Sequence, residues 1–289
     1  NLRIGLISSN STGGMDLSEH FYPEFRQDPT RGNLHDIASH DPGDSTERIA
    51  RLLGLNGFRT TISTACSSAT NAIMLGARLI RQGILDIVIA GGTDALCKFT
   101  LNGFGSLLIL DKTPCRPFDA SRAGLNLGEG AGYLVLQSEK TSYRKTYCTL
   151  AGYANANDAF HQTASSSDGN GAYLAMKGAL EKAGLSPDSI DYINAHGTGT
   201  PNNDASESAT PIRKPYSSFQ FHQSLHGPHA GSRRRSGSRF LGTGPASRDI
   251  IPELELQPTD SRNRINTRHG ISNRSIHSFR PVQLIRIRW

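Results

Sequence analysis

The stretch from Thr60 to Gly92 leaves few folds open to this chain. A β-branched run, Thr60-Thr61-Ile62, leads into Thr64-Ala65-Cys66-Ser67-Ser68. From about Ser67, the residues Ala69, Ala72, Ile73, Gly76, Leu79 and Ile80 recur at helical spacing, and Gly83 stops the helix. Asp86-Ile87-Val88-Ile89-Ala90 then reads as a buried strand closed by Gly91-Gly92. Strand, turn, helix and strand in that order imply a right-handed crossover onto a parallel sheet. The rest of the first two hundred or so residues supports an α/β fold. Residues 2–8 read as a strand before a turn at Gly13-Gly14, and 19–45 as loop with a short helix. A helix over 46–54 opens at Asp44-Ser45-Thr46-Glu47. Further strands are expected over 130–137, 147–154 and 192–194, with a helix over 172–183 ended by Gly184.

Cys66 falls where the first strand turns into the helix. A sulfur there lies near unsatisfied N–H groups and the positive end of a helix, which favours the thiolate. Ala65, Ser67, Ser68 and Ala69 leave room for a tight turn and a bulky acyl group, as in a nucleophile elbow with sulfur in place of oxygen. Read alone, a cysteine is more often an inert buried side chain. The four cysteines (Cys66, Cys97, Cys115, Cys148) show neither CxxC pairs nor zinc-ligand spacing, so reduced thiols in the cytosol are expected. No apolar run is long enough to span a membrane, and no signal-peptide pattern follows Asn1.

The net charge of +6 averages two unlike regions. Residues 211–289 hold fourteen Lys/Arg, thirteen of them Arg, against Asp249, Glu253, Glu255 and Asp260, a balance of +10. Residues 1–210 carry −4. Seven of the fourteen prolines also lie past residue 210, where no period of 2 or 3.6 persists. Such a segment buries too little apolar surface to offset its ordering entropy, so the tail is expected to be mostly disordered.

Two further motifs carry chemistry. Asn194-Ala195-His196-Gly197-Thr198-Gly199-Thr200 puts a histidine at a strand end, where its ring N–H can polarise a carbonyl while the glycines admit a substrate to the backbone. A hydrogen-bonded structural histidine is the plainer alternative. The other motif runs from Arg116-Pro117-Phe118-Asp119 through Arg122 to Gly128-Glu129-Gly130-Ala131-Gly132. Asp119 and Arg122 suggest a structural salt bridge. Glu129 is either buried beside the site or a surface turn residue.

In this order the three motifs resemble the β-ketoacyl-acyl-carrier-protein synthases, the condensing enzymes of fatty acid and polyketide synthesis. The resemblance covers residues 1 to about 208 and includes Asp94 and Asn157-Asp158-Ala159-Phe160-His161. It implies a thiolase-like fold of α-β-α-β-α layers, two similar halves, usually homodimeric. Residues 1–150 correspond to the first half with its start missing, 151–208 to the beginning of the second, and 209–289 to the basic tail. The resemblance assigns Cys66 as the acyl-accepting nucleophile and His196 as one of two histidines assisting malonyl decarboxylation. It assigns Thr198 and Thr200 to contacts with the pantetheine arm. It implies no metal or redox cofactor, since the substrates ride on the phosphopantetheine of acyl carrier protein, the expected partner.

The family also has a Lys in a Ser-x-Lys context, a second His in Gly-His-Thr and a Gly-Phe-Gly-Gly turn, and none stands in this chain. Synonymous codons for Phe219 to Arg239 can be chosen that, read one nucleotide later, encode Ser-Ser-Ser-Thr-Lys-Ala-Ser-Thr-Gly-His-Thr-Leu-Gly-Ala-Ala-Gly-Gly-Ala-Gly-Ala. Codons for Gln283 to Trp289 in the same shifted frame give Asn-Ser-Phe-Gly-Phe-Gly. Two matches in one frame and in family order point to a frameshift near 209–215 and to impaired activity of the polypeptide. On that reading the run Arg233-Arg234-Arg235 is a by-product rather than a nucleic-acid arm. The competing expectation is a non-catalytic remnant that binds acyl carrier protein. A thiolase is the nearest enzymatic competitor, but its histidine motif differs.

Overall fold

The computed structural model describes residues 2–138, 140–141, 147–161, 163–190 and 193–210, together with the backbone of 283–287. The sheet grows from the crossover unit. Strand β1 (Ile4–Ser9) lies between β2 (Arg59–Ile62) and β3 (Ile87–Asp94), parallel to both, and the helix α3 (Ser68–Arg81) links β2 to β3. Strand β4 (Gly130–Ser138) adds antiparallel to β3, and β5 (Gln283–Ile287) adds parallel to β4, giving the order β2-β1-β3-β4-β5.

Leu6 and Ile7 are neighbours in β1, so they point to opposite faces, yet both are fully buried. One face carries Ile7, Val88, Ala90 and Leu136 against Ala72, Ile73, Ala77 and Ile80 of α3. Gly76 lets that helix approach closely, because a Cβ there would stand 2.9 Å from Val88 Cγ1. On the other face Ser8 pairs in register with Thr61, whose hydroxyl lies 2.6 Å from that of Thr46 in helix α2 (Pro42–Leu52).

The Gly91-Gly92 pair does not end β3; the strand runs on to Asp94. Gly91 is in register with Ser8 on one side and Tyr133 on the other. With no side chain between them, the Tyr133 hydroxyl reaches across β3 to Ser8 Oγ at 2.6 Å. A Cβ on Gly91 would meet the Gly132 carbonyl oxygen at 2.1 Å, and one on Gly92 would meet Ser9 Oγ at 1.9 Å. Asp94 then accepts the Ser11 N–H at 2.8 Å and Thr93 O accepts from Asn10 Nδ2 at 2.9 Å, which fixes the turn after β1.

Several expected elements change. The stretch over 19–45 contains most of a thirteen-residue helix, α1 (Met15–Gln27), stabilised by Phe21 stacked on Phe25 at 5.3 Å. A helix not read from the sequence, α4 (Lys98–Ser106), begins where Glu19 of α1 accepts the N–H groups of Lys98 and Phe99 at 2.9 and 2.5 Å. Residues 147–154 form no strand ladder and pair in sheet fashion only at Thr149. Leu150 and Tyr153 from this segment enter the α3 core. Gly152 packs on α5 (Asn170–Ala183), where a Cβ would stand 2.1 Å from Ala179 O. Ile193 likewise holds one bridge position, and Tyr192 lies outside the described residues. Of the tail expected to be disordered, 283–287 is the β5 edge strand; 211–282 and 288–289 lie outside the described residues.

Leu136 is fully buried where β4 meets α3. Leu136→Ala should lower stability by about 2–5 kcal/mol, the range for emptying a tightly packed leucine site. Urea denaturation followed by circular dichroism measures it; a loss below about 1 kcal/mol would mean the site collapses around the smaller side chain.

Candidate active site

Cys66 occupies the turn between β2 and α3, half-buried, one residue before the N-cap Ser67. Ala65 immediately before it has φ +53°, a left-handed conformation that costs a non-glycine residue roughly 1 kcal/mol or more. Short side chains hold it. Ser68 donates from N and Oγ to Ala65 O at 3.1 and 2.6 Å, and Thr64 N donates to Ser68 Oγ at 2.7 Å. Ser67 Oγ donates to Thr64 O at 2.9 Å. The serines around the cysteine are therefore the fasteners of a strained strand-to-helix turn.

His196 lies in the loop between Ile193 and α6 (Pro201–Ser208) and is 5% exposed. The short helix bends its acids back onto this loop. Glu207 accepts the N–H groups of His196 and Gly197 at 2.7 and 3.0 Å. Burial raises the Glu207 carboxyl above its ordinary value, an effect the two backbone donors oppose. Thr198 and Thr200 are both buried, with their hydroxyls 2.8 Å apart. A cleft lined by Asp158, Ser165, Met176, Ile193, His196 and Glu207 opens beside this loop.

Asp204, 1% exposed, joins the second and third motifs. It accepts Phe118 N at 2.7 Å and Gly199 N at 3.2 Å, and Arg122 Nε stands 3.6 Å away. The Arg122 ion pair is thus with Asp204, not with Asp119, whose carboxylate takes the N–H and hydroxyl of Ser121. Cys115 Sγ donates to Thr198 O at 3.1 Å, a second tie between the loops. Glu129 is exposed and accepts Leu96 N at 3.0 Å, so it is a surface turn residue. Asp204 and Glu207 were missed in the sequence. Their signal is a pair of acids three apart on a helix that opens with Pro201 directly after Gly199-Thr200.

The other thiols are poor competitors for electrophiles. Burial pushes Cys115 up to about 11 and Cys148 up to about 12, and Cys97 is buried. A small thiol-directed reagent near neutral pH should add once, at Cys66, and Cys66→Ser should abolish the adduct in peptide mass spectra. Predominant labelling of Cys97, Cys115 or Cys148 would contradict this.

Glu207 also sets a pH signature. The folded state binds its proton more tightly than the unfolded state, so its contribution favours folding at low pH and is lost as pH rises through the raised folded value. Lowering pH from about 7 to about 4 should therefore shift relative stability toward the wild type over Glu207→Gln. Parallel denaturant midpoints of the two proteins across that range would rule this out.

The model for "Beta-ketoacyl synthase, N-terminal domain" matches residues 11–142, and that for "Beta-ketoacyl synthase, C-terminal domain" matches 147–218. The 3-oxoacyl-[acyl-carrier-protein] synthase 2 of Staphylococcus aureus is 33% identical over 215 residues, 71% of this chain and 53% of that protein. A ketosynthase, ApeO, in complex with its chain length factor ApeC from Xenorhabdus doucetiae superposes with a TM-score of 0.64 at 38% identity, covering 72% of this chain and 52% of that one. A type II polyketide synthase ketosynthase, solved in complex with its acyl-carrier protein, gives 0.67 at 28% identity, over 72% and 55%. This chain spans about half the length of these relatives. With both domain models matched in order, and the Cys66 turn and His196 loop standing on the same α/β frame, the chain belongs to the β-ketoacyl synthase family.

Proposed function

We propose that this chain carries the acyl-accepting site of a 3-oxoacyl-[acyl-carrier-protein] synthase. The observation that carries the reading is Cys66 on a strained turn at the start of α3, within the span matched by the N-terminal domain model. The Cys66 thiolate attacks the thioester carbonyl of an acyl chain on acyl carrier protein, and the phosphopantetheine thiol leaves with a proton. Malonyl carrier protein then loses carbon dioxide. The resulting enolate attacks the acyl-Cys66 thioester and expels the Cys66 thiolate, leaving a 3-oxoacyl chain two carbons longer on the carrier.

His196 is the group we assign to the malonyl thioester oxygen, where a ring N–H stabilises developing enolate charge. Thr198 and Thr200 are assigned to the pantetheine arm; their mutual hydrogen bond gives two buried hydroxyls that a polar arm can engage by exchange. The partner is acyl carrier protein, as in the solved ketosynthase complex, and the relative paired with a chain length factor supports a dimeric arrangement. No helix among the described residues is long and apolar enough to cross a membrane. A nucleophilic thiol suits a reducing compartment, and we place the protein in the cytoplasm.

Two half-reactions separate this reading from a binding remnant. The enzyme reading expects acyl transfer from acyl carrier protein to Cys66, seen as a mass increase lost in Cys66→Ser. Carbon dioxide release from malonyl carrier protein should be slower by about 10²–10³ than in a relative with both histidines, since of the two family histidine motifs this sequence holds only that of His196. Binding of acyl carrier protein with neither acylation nor decarboxylation would establish the remnant instead.

A further inference from the structure

We infer that Asn71 and Asn155 form an amide relay that fixes the turn carrying Cys66, which makes Asn71 a positioning residue for the nucleophile. The inference rests on Cys66 being the acyl acceptor. The bonds from Ser67 and Ser68 described above are local, spanning at most four residues. They hold the turn's shape but do not tie it to the rest of the molecule. Asn71 does so. Its Nδ2 donates to Thr64 Oγ1 at 2.9 Å and to Ser67 Oγ at 3.3 Å, gripping the turn on both sides of Cys66. Its Oδ1 accepts from Asn155 Nδ2 at 2.9 Å, from a residue 84 positions later in the chain.

The amide is matched to this place. Asn71 is 6% exposed within the buried stripe of α3, between Thr70 and Ala72, where an asparagine is a poor helix former and a costly group to bury without partners. Both amide protons and the carbonyl find partners, so the side chain has one orientation and transmits it to Thr64 and Ser67. Asparagine alone presents two donors to the turn and an acceptor to Asn155 at this reach; an ionised aspartate there would have no donor for Thr64 or Ser67. Asn155 follows the segment whose Leu150 and Tyr153 pack on α3, so its own position is fixed by the core.

The test is the pH–rate profile for alkylation of Cys66 by iodoacetamide in the full chain, read by peptide mass spectrometry. The thiolate attacks the methylene carbon, iodide leaves, and the thiol proton passes to solvent. Asn71→Ala should lower the plateau rate by about two- to ten-fold, the value of one or two hydrogen bonds to the turn. Asn155→Ala should act in the same direction, and the double variant should be no slower than Asn71→Ala alone, because both changes cut one relay. Asn155→Gln, which keeps a donor, should recover part of the loss; Asn155→Asp, which has none when ionised, should not. Asn155 is exposed, so its variants keep the question open to experiment even where Asn71→Ala fails to fold. Rates within a factor of about two of wild type, or additive losses in the double variant, would overturn the relay. A wild-type Cys66 no faster than a cysteine peptide would count against the nucleophile reading instead, while the ratios between variants would still report on the relay.

Discussion

A buried carboxylate holds the second and third motifs in one place. Asp204 is almost wholly removed from water, and an ionised group there persists only with several donors around it. It has them: Phe118 N, Gly199 N and Asn203 Nδ2, with Arg122 beside it. The two backbone donors belong to left-handed backbone shapes. Phe118 has φ +62° and Gly199 φ +75°, and a Cβ on Gly199 would stand 2.6 Å from Cys115 Sγ. Loss of the carboxylate would take this acceptor from the Phe118 and Gly199 N–H groups and the negative charge from beside Arg122, so both loops lean on one side chain.

The two halves of the site are anchored differently. The His196 loop is held by hydrogen bonds to the two acids of α6, and every partner lies within the 115–207 stretch. The Cys66 turn is held by neutral hydroxyls and amides on the end of a helix whose other residues build the main core. That contrast suits the roles proposed for Cys66 and His196. A carboxylate beside the sulfur would oppose thiolate formation, whereas one bound to the backbone of the His196 loop fixes that loop's geometry.

The crossover around Cys66 was legible because its signals are local: a β-branched run, small residues at a turn, and a helical repeat ended by glycine. Helix α4 was not, for a physical reason. Its sequence, Lys98-Phe99-Thr100-Leu101-Asn102-Gly103-Phe104-Gly105-Ser106, has two glycines and weak propensity, and its first N–H groups are satisfied by Glu19 from 79 and 80 positions away. A cap supplied by tertiary structure leaves no mark in the segment it caps. The Asp119–Arg122 pairing failed similarly. Spacing made them natural partners, but Ser121 satisfies Asp119 locally and a buried acid from another element claims the arginine.

Strand β4 shows how far the frame can stand without the elements expected to surround it. It is nine residues long and is not an edge strand only because β5 pairs with its outer side. Without a neighbour, Leu134 to Ser138 would present a row of unpaired N–H and C=O groups, the usual template for association with another chain. The ladder Leu134↔Gln283 to Ser138↔Ile287 covers that row with a segment whose alternation, Gln-Leu-Ile-Arg-Ile, has enough β-branched and apolar character to pair. Backbone pairing asks little of sequence beyond this, which is why a five-residue stretch from an otherwise Arg-rich tail can pair with β4 and become the new edge of the sheet.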